Sequence, residues 1–136
     1  MQIDNEVFEN CLPKGVSWDE QAFVFCEFRN IVGEGTHISS IFVDCGFDQC
    51  DMYWGMFNIA TFVGVSFRHC VFRGCLFPDC RFVECRFEAC LFTVDSFGAG
   101  CDFRDSRWYG CTQDGTHGLS TALVPFASGD GKRARG

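Results

Sequence analysis

The sequence predicts an all-β solenoid, and three observations carry that prediction. From Val65 to Phe97 the chain repeats every five residues: Val-Ser-Phe-Arg-His, Cys-Val-Phe-Arg-Gly, Cys-Leu-Phe-Pro-Asp, and so on to Asp-Ser-Phe. A period of five fits neither the 3.6 of a helix nor the 2 of a strand, so it is a short internal repeat. Second, the unit centres keep one phase over twelve units, Phe42, Phe47, Met52, Phe57, Phe62, Phe67, Phe72, Phe77, Phe82, Phe87, Phe92 and Phe97, and eleven of the twelve are Phe. Third, two residues before each centre stands a smaller side chain: Ser40, Cys45, Cys50, Gly55, Ala60, Val65, Cys70, Cys75, Cys80, Cys85, Cys90 and Asp95. Large and small at a fixed separation is a packing code.

Taken in order, residues 1–15 stand outside the repeat and read as an N-terminal cap. The repeat opens in another phase with Val16/Trp18, Gln21/Phe23 and Cys26/Phe28, then falters. The faltering stretch contains Ile-Val-Gly-Glu-Gly-Thr-His and predicts a loop insertion near residues 31–39. After the regular run, one extra residue near Gly98-Ala99-Gly100 shifts the phase to Cys101/Phe103 and Ser106/Trp108, and Cys111 opens a last unit. Residues 112–136, rich in Gly, Ser and Thr, read as a C-terminal cap and flexible tail. Solenoid ends expose unpaired backbone, which is why caps are expected at both.

A large apolar centre with a small residue two places before it resembles the unit of the pentapeptide-repeat family, and the resemblance covers residues 16–111. It implies a right-handed, four-sided β-helix of about five coils, one unit per face. The chain departs from the commonest form of that family by using Phe for Leu and Cys for Ala, swaps that keep the contrast in volume.

One domain is expected from 136 residues, and no apolar run approaches a membrane span. The start, Met-Gln-Ile-Asp-Asn-Glu, lacks a signal-peptide pattern, so a cytoplasmic protein is expected. Ten of the eleven cysteines, all but Cys11, fall two before a centre, where a small, mildly apolar side chain is needed. Their C-x4-C spacing is not that of a zinc site, and no metal or other cofactor is expected. His69 beside Cys70 is no nucleophilic pair, because the two positions point to opposite sides of the wall. Asp95 is expected inward, bonded to backbone N–H groups. No Ser/His/Asp set, paired-carboxylate cleft or phosphate loop is present, so a non-catalytic protein is expected.

Function is then sought on the outward positions. With four units per coil, one face carries Tyr53, Trp54, Val71, Leu91 and Val94, and the adjoining one Met56, Ile59 and Leu76. Clustered exposed apolar residues mark interfaces. The segment Leu119 to Phe126 is the alternative cover for this patch, and pairing of two copies through these faces is left open. The other two faces read as solvated, one with Asp48, Arg68, Arg86 and Arg107, the other with Arg81, Asp102, Arg104, Asp105 and a stripe of Val43, Val63 and Val83.

Residues 1–67 hold ten acids and two bases, and residues 68–136 hold eight acids and nine bases. The negative half points to a protein partner with a basic surface and away from direct binding of nucleic acid. Glu27, Glu34, Asp44, Asp48 and Asp51 are the candidate acidic contacts, with Tyr53, Trp54 and Met56 as anchors. The expected function is a stoichiometric inhibitor, an immunity protein that occludes the active site of a nuclease-type bacterial toxin. The resemblance implies an alternative, mimicry of duplex DNA toward gyrase or another topoisomerase; a structural scaffold is the third reading.

Overall fold

The computed structural model describes residues 2–127. Short strands follow one another around four faces, and each strand pairs in parallel with the strand one coil further on. The first face stacks β1 (Gln2–Asp4), β3 (Ala22–Val24), β7 (Ile41–Val43), β11 (Thr61–Val63), β14 (Arg81–Val83) and β17 (Arg107–Tyr109). The second stacks β2 (Val7–Glu9), β4 (Glu27–Arg29), β8 (Gly46–Asp48), β12 (Ser66–Arg68), β15 (Arg86–Glu88) and β18 (Thr112–Asp114). The third holds β5 (Val32–Glu34), β9 (Asp51–Tyr53), β13 (Val71–Arg73) and β16 (Leu91–Thr93). On the fourth, β6 (His37–Ile38) and β10 (Met56–Phe57) are continued by single bridges through Leu76 and Asp102. The result is a four-sided β-helix of five full turns and part of a sixth.

The repeat explains this geometry. In a three-residue strand the central side chain points to one side and its neighbours to the other, so each Phe is buried and its flanks face outward. The residue two after the centre turns the corner with positive φ, a conformation that Asn5, Asn30, Asp44 and Asp79 accept more readily than most residues. Along the first face Phe23, Phe42, Phe62 and Phe82 stack nearly parallel at 5.2, 5.0 and 4.9 Å, and Trp108 closes the ladder at 3.9 Å from Phe82. Across corners the rings meet edge-on, as Phe42 and Phe47 do at 5.3 Å and 64°. Offset stacking along the rod and T-shaped contact across it are the two arrangements aromatic quadrupoles favour. Phe57, Phe67, Phe72, Phe77, Phe87 and Phe92 share this core.

The cysteines have a second role besides being small. Each buried thiol donates to the carbonyl of the centre one coil earlier: Cys45 to Phe23 O at 3.3 Å, Cys50 to Phe28 O at 3.4 Å, Cys70 to Phe47 O at 3.3 Å, and Cys75 to Met52 O at 3.3 Å. Cys80, Cys85 and Cys90 do the same to Phe57, Phe62 and Phe67. The Ser40 and Thr116 hydroxyls repeat the contact, to Trp18 O and Phe87 O. Burial pushes the Cys45 thiol up to about 11 and that of Cys80 to about 12, which keeps them protonated donors. All eleven cysteines are free thiols, Cys11 alone being exposed.

Four expectations are corrected. Residues 1–15 do not stand outside the helix, because β1 and β2 pair in register with β3 and β4, with Ile3 and Phe8 as centres. The code is hidden there because Glu6, not a small residue, stands two before Phe8. Nor is the stretch near residues 31–39 a loop: it forms β5 and β6, with Gly33 and Ile38 as centres. A Cβ on Gly33 would lie 2.6 Å from the Thr36 hydroxyl oxygen and 3.0 Å from the Met52 sulfur, so Thr36 and the long Met fill the space the glycine leaves. One residue is missing from that coil, Phe23 pairing with Phe42 rather than with position 43.

Near Gly98-Ala99-Gly100 the insertion is six residues rather than one, since Phe82 pairs with Trp108 where the 20-residue period of Phe62 and Phe82 would put residue 102. Phe97 is therefore 84% exposed instead of in the core, Asp95 lies outside the wall, and Phe103 takes the vacated centre, 5.0 Å from Phe77. The same shift moves Arg107 onto the first face beside Arg81 and Asp102 onto the fourth beside Leu76. Finally, the segment from Leu119 to Phe126 closes the last coil instead of covering a side. Leu119 and Val124 are buried, and the buried Gln113 amide donates to Leu119 O at 2.9 Å and Val124 O at 2.7 Å. The helix runs past residue 111 through β18, and the expected flexible tail at residues 128–136 lies outside the described residues.

Candidate protein-binding surface

The expected acidic contacts do not share a surface. Glu27 and Asp48 lie on the second face, Glu34 and Asp51 on the third, and Asp44 at the corner between the first and second. Glu27 pairs with Arg68 at 3.2 Å and Asp51 with Arg73 at 3.6 Å, each one or two coils away. On the second face the register sets Glu9, Arg29, Asp48, Arg68, Glu88 and Asp114 in one column, so charge alternates from Glu9 to Glu88 before two acids adjoin at the last coil. Half-exposed pairs of this kind add little stability, but they neutralise two of the ten acids of residues 1–67 that a basic partner would sense.

The candidate aromatic residues, by contrast, are brought together and joined by residues that sequence reasoning placed elsewhere. Tyr53 ends β9 and Trp54 turns the corner between the third and fourth faces; their rings meet edge-on at 4.3 Å. The inserted segment after β16 folds onto them. Trp54 Nε1 donates to Asp95 Oδ2 at 2.8 Å, and the Ser96 amide donates to the Tyr53 hydroxyl at 2.6 Å. Asp95 Oδ1 accepts from the Phe97 and Ala99 amides at 2.8 and 2.9 Å. A Cβ on Gly74, the corner residue one coil after Trp54, would sit 2.9 Å from Asp95 Cβ, so this glycine makes the room in which the loop docks. Phe97 then lies against Trp54 at 6.2 Å and 16°, its other side open to solvent.

Around this ridge the third face offers Val32, Leu91 and Val94, 75%, 38% and 51% exposed. Met56 borders it on the fourth face, where it helps line a shallow cavity of about 160 Å³ with Leu76, Phe77, Pro78, Asp102 and Arg104. Among the described residues no group of three or more His, Cys, Asp and Glu could hold a metal ion, and no helix is long and apolar enough to cross a membrane. The signal for Asp95 and Phe97 was in the sequence. Asp replaces the small residue, and Gly-Ala-Gly follows the aromatic, both departures from the unit.

The Trp54 indole and the backbone amides hold the Asp95 carboxylate below its ordinary value of 3.8. A depressed folded-state value stabilises the loop above the unfolded pKa and loses that contribution as pH falls through the folded one. The Trp54 indole N–H resonance is thus expected to stay at its hydrogen-bonded position from neutral pH down to below 3.8, then shift as the loop is released. Asp95→Asn should abolish this titration; an identical profile in that variant would remove Asp95 from the clasp.

A four-sided parallel β-helix built on a five-residue unit defines a class of proteins by itself. The chain has the fold of the pentapeptide-repeat proteins. Among solved structures it is similar to the pentapeptide repeat protein Rfr23 from the cyanobacterium Cyanothece 51142, with a TM-score of 0.62 and 11% identity over 85% of this chain and 82% of that one. It also aligns with QnrB1, a plasmid-mediated fluoroquinolone resistance protein, in a trypsin-treated form, with 16% identity over 92% of this chain and 78% of that one, at a TM-score of 0.36. No family model matches the sequence, and no curated protein is similar to it.

Proposed function

We propose that this chain is a cytoplasmic, non-catalytic inhibitor that binds another protein along the Tyr53, Trp54 and Phe97 ridge. In its most specific form the proposal is an immunity protein that covers the active site of a toxin. One observation carries the binding reading: a six-residue insertion in an otherwise regular rod leaves Phe97 84% exposed while Tyr53, Trp54 and Asp95 hold it in position. Insertions in solenoids map to loops on one face, often the binding face. Exposed, preorganised aromatic residues are the side chains that anchor interfaces at low entropic cost.

Mimicry of DNA toward gyrase rests on the acidic surplus of the first half, and the ion pairs of Glu27 and Asp51 leave that reading less support. The test is capture from lysate of the source cells on the immobilised full chain, beside Trp54→Ala and an Asp44→Lys/Asp48→Lys/Asp51→Lys variant. A stoichiometric partner is expected, held about thirtyfold more weakly by Trp54→Ala, a loss of about 2 kcal/mol. Its own activity should fall to zero at one equivalent of the wild-type chain. Retention by Trp54→Ala with loss in the charge variant would replace the ridge by the acids, and recovered gyrase would promote mimicry.

A further inference from the structure

The first face is uncharged over its middle coils. Outward from β3, β7 and β11 point only Ala22, Val24, Ile41, Val43, Thr61 and Val63, with Ile41 48% exposed. The corners bordering this band add Phe25 and Ile59, 58% and 64% exposed, with φ of 55° and 57°. Most corners of this helix meet that left-handed geometry with Asn, Asp, Gly or another polar residue. A bulky or β-branched residue is strained there, and exposing it to water adds nothing in return. Burial of both residues against a second surface would offset that strain.

On the strands of this face charge lies only at the ends, Asp4 on β1 at one and Arg81 and Arg107 on β14 and β17 at the other, while the bordering corners carry Glu20, Asp44, Asp79, Glu84 and Asp105. We propose that a second copy of this chain packs on the first face, the two rods antiparallel about a two-fold axis between β7 and β11. The face is then self-complementary, as an isologous interface must be. Val43 meets Val63 of the partner subunit, Val24 meets Val83 of the partner subunit, and at the ends Arg107 lies opposite the partner's Gln2 and diagonal to the partner's Asp4. A parallel pair would instead bring the two arginine ends together. One side of a rod whose whole surface is 7011 Å² supplies on the order of the 800 Å² per partner that a standard interface buries. This surface is separate from the aromatic ridge and does not depend on it.

Sedimentation equilibrium of the full chain from about 1 μM to about 1 mM spans the affinities expected of such an interface. A monomer–dimer equilibrium is expected. Val43→Asp, outward and beside the axis, should weaken it about a hundredfold by burying a carboxylate without a partner, with the melting temperature unchanged. Asp4→Arg and Arg107→Glu should each weaken the dimer and together restore it, while Trp54→Ala leaves it as it was. A chain monomeric throughout, or a dimer indifferent to Val43→Asp, overturns the proposal. A double charge variant no better than the single ones overturns the antiparallel arrangement.

Discussion

Replacing Phe62 by alanine is expected to cost about 3–5 kcal/mol of folding stability, and to lower the thermal midpoint by on the order of 10–20 °C. The ring is fully buried and lies in the middle of a ladder, 5.0 Å from Phe42 and 4.9 Å from Phe82, with edge-on contact to Phe67 at 5.5 Å. Its loss removes the transfer term of a Phe side chain and leaves a void between two rings that β-pairing holds apart. Phe42 and Phe82 cannot close that gap, because their strands are fixed one coil above and one coil below by the ladder of β7, β11 and β14. Total stabilities of small domains run to about 5–15 kcal/mol, so the variant should be near the edge of folding. Phe97→Ala is the matched control. It has the same chemistry and the same place in the five-residue phase, but the ring is 84% exposed, and less than about 0.5 kcal/mol should be lost. Thermal denaturation of the two variants followed by circular dichroism separates the two positions; equal losses would return Phe97 to the core.

That pair of residues shows what could be read before the structure. Phe62 was legible because the packing code recurs on both sides of it, and every coil built on Phe42 to Phe92 follows from that phase. Phe97 was misread because a five-residue code is blind to insertions of five: six extra residues produce the same change of phase as one. The first coil escaped notice through Glu6, and β5 through Gly33 standing where a large centre was expected, its space taken by Thr36 and by Met52 in the next coil. The candidate acids were misjudged for a different reason. Glu27, Asp44, Asp48 and Asp51 are close in sequence, but one coil spends about twenty residues going around four faces. A run of like charge therefore marks a height on the rod, not a side. Tyr53, Trp54 and Met56 stay together in space because near neighbours in sequence turn a single corner.

Gly118→Ala is the second substitution expected to be severe, about 2–4 kcal/mol, and it tests how the C-terminal end is closed. Gly118 has φ of +88°, and a Cβ built on it would lie 2.0 Å from the Phe92 carbonyl oxygen and 2.9 Å from its carbonyl carbon. Those are backbone atoms of β16, so no side-chain rotation can relieve the contact. The segment itself has to move, and it is tied down on both sides. The His117 amide donates to Cys90 O at 3.0 Å, the Phe92 amide donates to His117 O at 2.9 Å, and Thr116 satisfies Phe87 O one face earlier. Displacing residues 116–118 loosens these bonds and draws Leu119 and Val124 off the last coil, leaving Gln113 without its two buried acceptors. Gly35→Ala separates backbone strain from collision. Gly35 also has positive φ, +65°, but nothing lies within 4 Å of its added Cβ, so only the left-handed penalty of about 1 kcal/mol applies. Urea denaturation of both variants is the measurement, and the difference between their midpoints reports the close approach to Phe92. If Gly118→Ala is no worse than Gly35→Ala, the segment does not lie against β16 as described. If it is worse, loss of the closure should also expose the unpaired last strands, and the variant should associate end to end at concentrations where the parent chain does not.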